Sequence, residues 1–74
     1  MPSVETNLCQ IVVNGSSRCV PVDLTLDQVL LYLEIDPQQV AVEKDRVIVR
    51  RSVWSSTPIQ AGSNLEIVKF VGGG

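Results

Sequence analysis

The chain ends in Phe70-Val71-Gly72-Gly73-Gly74, and this ending has the clearest chemical use of any part of the sequence. Glycine has no Cβ, so a run of glycines fits a narrow channel and presents a terminal carboxylate without steric hindrance. We therefore expect Gly74 to carry a carboxylate that another protein activates, with Gly73 directly behind it. The alternative is a loose chain end without function, since termini are often poorly ordered.

The composition is that of one small globular domain. The 74 residues are 45% hydrophobic and 19% charged, which is not typical of a disordered chain. The net charge is −2 and the sequence contains no Lys/Arg run, so no nucleic-acid partner is expected. No stretch reaches membrane-spanning length and no signal peptide is recognisable, so we expect no membrane association and a cytoplasmic location.

The sequence also argues against a catalytic or metal site of its own. It contains no histidine, which removes the commonest general base and the commonest metal ligand. Cys9 and Cys19 are too few for a disulfide framework or a four-ligand zinc site. We therefore expect no bound metal or cofactor and no enzymatic activity, and we interpret both thiols as small buried apolar groups on adjacent strands.

The glycine tail must be positioned by the elements that precede it, and the first of these is a predicted hairpin. Alternating apolar residues predict a strand over residues 8–14, with Cys9, Ile11 and Val13 on one face. The Asn14-Gly15 pair predicts a tight turn into a second strand over residues 18–22. Pro21 lacks a backbone donor, so this second strand is expected at an edge of the sheet.

A helix is predicted next, over residues 26–35, because four leucine and valine side chains recur at helical spacing. Thr25 is the expected N-cap and Gln28 completes a capping box. Asp36-Pro37 is expected to stop the helix. Leu31 and Tyr32 fall off the apolar face, and we expect a loop to cover them in part.

The second half of the chain predicts short strands over residues 40–43 and 46–49 and a last strand over residues 65–71. Trp54 is expected to anchor the irregular segment between them in the core. In the last strand Leu65 and Ile67 share one face, while Glu66, Val68 and Phe70 share the other.

This order of elements predicts an α+β domain of the β-grasp (ubiquitin-like) class. We expect a mixed sheet of four to five strands with one main helix on one face, the first and last strands being parallel neighbours. The predicted organisation is a flexible extension over residues 1–7, a β-grasp domain over residues 8–71 and a flexible glycine tail over residues 72–74.

Taken together, five segments of the sequence resemble the ThiS family of sulfur carriers in thiamine biosynthesis. They are residues 24–30 (LTLDQVL), 40–43 (VAVE), 49–54 (VRRSVW), 62–68 (GSNLEIV) and 70–74 (FVGGG). Each segment alone is weak, but their order, spacing and glycine ending are specific, and the resemblance covers about residues 8–74.

The resemblance implies a chemistry in which the protein is a co-substrate. A ThiF-like activating enzyme would use ATP to adenylate the carboxylate of Gly74, with Gly73 as its partner in the diglycine end. A sulfur donor such as a cysteine desulfurase would convert the adenylate to a thiocarboxylate. A ThiG-like thiazole synthase would then take the sulfur. We expect Val68, Phe70, Val71 and Gly72 to contact these partners.

The sequence departs from the family pattern in its turns. The turn at Lys44-Asp45-Arg46 lacks the usual glycine, so Asp45 is expected to adopt a positive φ. The turn at Gly62-Ser63 has serine where aspartate is common. We interpret Arg50 and Arg51 as solvated.

Three alternatives to this function remain open at the level of sequence. One is a MoaD-like carrier for molybdopterin synthesis, which shares the fold and the diglycine end. The second is a ubiquitin-like protein modifier, and the third is an interaction module whose glycines have no role.

Overall fold

The structure, a computed structural model, describes residues 7–70. Within that range the elements are β1 (Leu8–Val13), β2 (Ser16–Pro21), β3 (Leu24–Thr25), α1 (Leu26–Tyr32), β4 (Val40–Lys44), β5 (Val47–Ile48), β6 (Pro58–Ile59) and β7 (Asn64–Lys69). Two 3₁₀ helices, Pro37–Gln39 and Arg51–Ser56, lie in the connections.

Five of these strands form one mixed sheet in the order β2-β1-β7-β4-β5. β1 and β7 are parallel, with Val12 beside Asn64, and the other neighbours are antiparallel. The predicted β-grasp architecture is therefore confirmed. β2 is at the edge, as expected for a strand that ends at Pro21.

The core joins α1 to one face of the sheet. Among residues 7–70 eleven apolar side chains are buried, and Leu26, Val29 and Leu30 of α1 are fully so. The core contains Ile11, Val13, Val20, Val40, Val42 and Leu65 from the five-stranded sheet, Trp54 from the second 3₁₀ helix and Ile59 from β6.

The start of α1 is as expected, but its end is not. The backbone N–H of Thr25 donates to Oε1 of Gln28 at 2.9 Å, which satisfies a donor at the helix entry. The helix ends at Tyr32, three residues earlier than predicted. Glu34 has φ +63°, and the N–H groups of Glu34 and Ile35 donate to the carbonyls of Leu31 and Leu30. This Schellman motif usually has glycine at the left-handed position, so the sequence did not reveal it.

Two tight turns connect the strands of the two hairpins that flank β7 in the sheet. Asn14 and Gly15 both have positive φ, at 50° and 82°, between β1 and β2. Between β4 and β5 the positive φ values belong to Asp45, as predicted, and also to Arg46, which was not foreseen. Paired positive φ values give the hairpin a twist that matches its strands.

Trp54 is buried, as predicted, and its indole N–H donates to the carbonyl of Val49 at 2.8 Å. The guanidinium of Arg51 lies 4.8 Å from the centre of the Trp54 ring. Arg51 also donates to the carbonyls of Pro37 and Val40. Arg50 and Arg51 are both exposed, as expected of solvated charges, but the flat side chain of Arg51 also bonds to two neighbouring segments.

Two further expectations about burial are corrected. Leu31 and Tyr32 are exposed by 63% and 51%, so no part of residues 7–70 covers them as a loop was expected to do. Cys9 is half-buried on the core side, but Cys19 is exposed. Because Val20 is the β2 residue that faces the core, strand alternation turns Cys19 outward.

Candidate functional site

β7 is the central strand of the sheet, and it carries the chain toward the glycine tail. Lys69 lies opposite Val40 of β4, and the N–H of Phe70 donates to the carbonyl of Gln39 at 2.8 Å. The strand is thus held on its β4 side as far as Phe70. Backbone pairing with β4 and the bond to Gln39 therefore fix the position of Phe70 at the end of the strand.

The other side of β7 is held by two hydrogen bonds from one side chain. The side-chain Oδ1 of Asn14 accepts from the N–H of Ile67 at 2.7 Å, and its Nδ2 donates to the carbonyl of the same residue at 3.1 Å. A side chain from the β1–β2 turn therefore pairs with the backbone of β7. From the sequence, Asn14 was interpreted only as a turn residue, since nothing local indicates a partner 53 positions away.

The two faces of β7 differ as predicted. Leu65 is fully buried and Ile67 half-buried on the side of α1. On the opposite side Val68 and Phe70 are exposed by 62% and 56%. This geometry places two large apolar side chains next to the end of the described chain.

Neighbouring strands extend this apolar surface. Ala41 of β4 lies opposite Val68, and Ile48 of β5 is exposed. We call the exposed side chains of Ala41, Ile48, Val68 and Phe70 the outer patch. Ala41 and Ile48 were missing from the predicted contact residues, because their positions relative to β7 depend on the strand register.

The outer patch is bordered by carboxylates. A shallow hollow of about 130 Å³ is lined by the carboxylates of Glu43 and Glu66 and by Ala41, Ile48 and Val68. The hollow is mostly apolar with acid at its rim. Its chemistry suits an apolar side chain accompanied by a cation.

A larger hollow, of about 370 Å³, lies on the other side of β7. Its lining includes Asn14, Ile67 and Lys69, together with the carboxylates of Glu34 and Asp36. The lining of this hollow carries charges of both signs, whereas the outer patch exposes large apolar side chains next to the end of the described chain. The outer patch is therefore the better candidate for apolar contact with a partner.

The remaining site residues of the sequence analysis, Val71, Gly72, Gly73 and Gly74, lie outside the described residues, as do residues 1–6 of the predicted extension. Over residues 7–70 no three His, Cys, Asp or Glu side chains come together in a way that could hold a metal ion. In the same range, no helix has the length and apolar character needed to cross a membrane.

The sheet order, the single packed helix and the central β7 define a ubiquitin-like β-grasp protein. The model of the ThiS family matches residues 11–74. The chain belongs to the ThiS family.

A solved structure and two curated proteins are also similar. The crystal structure of the thiamine biosynthesis protein ThiS from Geobacter metallireducens superposes with a TM-score of 0.77 at 26% identity, covering 88% of this chain and 99% of that one. A thiazole synthase of Paramagnetospirillum magneticum is 37% identical over 65 residues, and one of Magnetococcus marinus is 33% identical over 61 residues. These matches cover 88% and 82% of this chain, which spans only about a fifth of the length of each relative (20% and 19%).

Proposed function

We propose that this protein is a sulfur carrier of thiamine biosynthesis and that the carboxylate of Gly74 holds the sulfur. The observation that carries the proposal is the family match, which runs through residue 74 and so includes the glycine ending. The solved relative is itself a thiamine biosynthesis protein. Under this proposal the protein is a co-substrate, and the chemistry is performed by its partners.

The proposed chemistry begins with activation. A carboxylate is a poor electrophile, and its oxygen is a poor leaving group. A ThiF-like enzyme would bind ATP and the tail together, so that a carboxylate oxygen of Gly74 attacks the α-phosphate and pyrophosphate leaves. A persulfide on a sulfur donor, such as a cysteine desulfurase, would then attack the acyl carbon and displace AMP, forming an acyl disulfide. A second thiol would attack the S–S bond, releasing the thiocarboxylate and leaving the donor cysteine in a disulfide.

The carrier's own contribution is to present the tail and to dock. The outer patch includes Phe70, the last described residue, so a partner seated there would be adjacent to the start of the tail. Exposed apolar patches of this kind mark protein interaction sites. We infer that Val68 and Phe70, continued by Val71 and Gly72, contact the activating enzyme.

We further propose a ThiG-like thiazole synthase as the acceptor of the sulfur. Two proteins named thiazole synthase contain, within one polypeptide, a segment similar to this chain. Joining a carrier to its acceptor raises their effective concentration for one another. The similarity thus supports an encounter between this carrier and a synthase.

Intact mass spectrometry tests the proposal. The protein is incubated with a ThiF-like enzyme, ATP and a sulfur source, and the expected product carries one sulfur in place of one oxygen. The matched control is the chain lacking Gly73 and Gly74, which should stay folded by circular dichroism because the buried core lies within residues 11–65. A ladder of conjugates would instead make the protein a modifier, and an unchanged mass would refute the carrier proposal.

The pathway has its own test. The chain should restore thiazole formation in a strain that lacks its thiamine sulfur carrier. It should not restore molybdoenzyme activity in a strain that lacks the molybdopterin carrier. Because one β-grasp scaffold serves both pathways, the docking surfaces decide the outcome. Restoration of the second phenotype alone would overturn the assignment to thiamine synthesis.

A further inference from the structure

The side chain of Asn14 continues the hydrogen bonding between β1 and β7 beyond the last bond made by the main chain. Along the parallel pair, the N–H of Val12 donates to the carbonyl of Ser63 and the N–H of Asn14 donates to the carbonyl of Leu65, both at 2.9 Å. Bonds along a parallel pair repeat every two residues, so the next residue of β7 to be bonded from β1 would be Ile67. The main chain has entered the turn at Asn14 and Gly15 by that point and cannot provide this bond.

The Asn14 carboxamide supplies both missing groups. A carboxamide has a carbonyl acceptor and an N–H donor, like the peptide group that it replaces. Its oxygen takes the N–H of Ile67 and its nitrogen donates to the carbonyl of the same residue. Asparagine also tolerates the positive φ of 50° that the turn requires. Among the common side chains, only asparagine combines these properties at this reach.

The result is that β7 is held on two sides for longer than its strand pairing alone would allow. On the β4 side the partners run through Val42 beside Ile67 and Val40 beside Lys69 to the bond at Phe70. On the β1 side the last main-chain bond is at Leu65. The bonds from Asn14 to Ile67 extend the hydrogen bonding on the β1 side by two residues, toward the C-terminal end of β7.

We propose that Asn14 is a positioning residue for the activation step. By holding Ile67, it fixes the course of β7 toward Phe70 and the orientation of the outer patch. This inference rests on the proposed function. When the strand before the tail is already ordered, less conformational freedom is lost as the activating enzyme binds the tail. Loss of the Asn14 bonds should therefore raise the KM for the carrier.

Two substitutions separate the carboxamide from the turn. Asn14→Gly keeps a residue that accepts positive φ but removes both side-chain bonds. Asn14→Asp keeps an acceptor for the N–H of Ile67 but places a carboxylate oxygen against its carbonyl. The matched control is Asp45→Gly, because Asp45 also lies in a hairpin turn at positive φ, and its Oδ1 accepts from the N–H of Asn64 at the opposite end of β7.

The experiment measures ATP–pyrophosphate exchange by the ThiF-like enzyme as a function of carrier concentration, and amide hydrogen exchange by NMR for each variant alone. We expect Asn14→Gly to raise the KM for the carrier about 3- to 10-fold with kcat within about twofold, and Asn14→Asp to give a smaller rise. The Ile67 amide should exchange faster in Asn14→Gly. Asp45→Gly should leave KM unchanged although it too loses a bond to β7.

An unchanged KM for Asn14→Gly would overturn the proposal, and so would an equal rise in Asp45→Gly, which would indicate a general loss of stability. If Asn14→Gly does not fold, Asn14→Asp decides by the same criterion. If the wild-type chain supports no pyrophosphate exchange, the proposed function fails, and the amide data decide whether Asn14 holds the strand end. Faster exchange at Ile67 in Asn14→Gly but not in Asp45→Gly supports that role, and identical exchange overturns it.

Discussion

Glu43 of β4 and Glu66 of β7 lie directly opposite one another across the antiparallel pair. Both border the hollow beside Val68, on the face of the sheet away from α1. Like charges in direct opposition destabilise a sheet. Under the proposed docking, this pair is expected to face a cation of the activating enzyme.

Replacing one of these carboxylates should therefore raise stability and weaken docking. Glu66→Gln is expected to increase the free energy of unfolding by about 0.2–1 kcal/mol, because it removes the cross-strand repulsion. It should also weaken binding to the activating enzyme and reduce the salt dependence of that binding. Urea unfolding and binding titrations at two salt concentrations measure both effects.

The control for this prediction is Asp23→Asn, which also removes one negative charge from an exposed position and at which asparagine tolerates the positive φ of 66°. Asp23 lies in the turn between β2 and β3, so Asp23→Asn should neither raise the free energy of unfolding nor weaken binding to the activating enzyme. A Glu66→Gln protein that is no more stable than wild type would contradict the interpretation that Glu43 and Glu66 repel one another.

Phe70 should matter for binding far more than for folding. It is 56% exposed, so Phe70→Ala is expected to change the free energy of unfolding by no more than about 0.5 kcal/mol. A buried aromatic side chain at the centre of an interface commonly contributes 2 kcal/mol or more, so affinity for the activating enzyme should fall by about tenfold or more. Isothermal titration and thermal unfolding give the two numbers.

Leu31→Ala provides the comparison for Phe70. Leu31 is 63% exposed on α1, on the other side of the sheet, and alanine preserves the helix. Its affinity for the activating enzyme should remain that of the wild type. Equal losses in the two variants would show that exposed apolar area in general, and not the outer patch, drives the association.

Much of the fold could be predicted because it depends on local patterns. Alternation in residues 65–70 indicated which side chains of β7 face the core, and Pro21 indicated an edge strand. Asp45 was identified as a positive-φ residue because the turn lacked glycine. Each of these inferences needs only the chemistry of a short segment.

What the sequence did not reveal depends on distant partners. Arg51 bonds to carbonyls 11 and 14 positions away, and the two-residue strands β3 and β6 pair only because the core brings them together. The early end of α1 uses Glu34 where glycine would be recognisable. Asn14 was visible as a turn former, but its bond to Ile67 follows from the strand register, which no local pattern specifies.

The cysteines should be dispensable for sulfur transfer. Cys19 is exposed, so Cys19→Ala is expected to stay within about 0.5 kcal/mol of wild-type stability. Cys9 is half-buried beside the core, and Cys9→Ala should cost about 1 kcal/mol through a small cavity. The double variant should still acquire sulfur by intact mass. A folded double variant that fails to do so would transfer the sulfur-bearing role from the tail to a thiol.

The last prediction concerns pH and the turn at Asp45. The backbone N–H of Asn64 donates to the carboxylate at 3.0 Å, and the ammonium of Lys44 lies 3.0 Å from its other oxygen. Both interactions favour the charged form, so they lower the pKa of Asp45 below its ordinary value, the Asn64 bond having the larger effect. A depressed pKa in the folded state means that the stabilisation is present above the ordinary carboxyl pKa and is lost as pH falls through the folded one.

Asp45→Asn isolates this contribution, because asparagine tolerates the positive φ of 51° and can still accept from the Asn64 N–H. The difference in free energy of unfolding between wild type and Asp45→Asn should be constant above about pH 5. It should shrink steadily below about pH 4, because the unfolded chain then binds a proton at the ordinary carboxyl pKa while the folded protein does so only at lower pH. Urea unfolding of both proteins across this range measures it, and a difference that does not depend on pH would show that the Asp45 charge does not stabilise the fold.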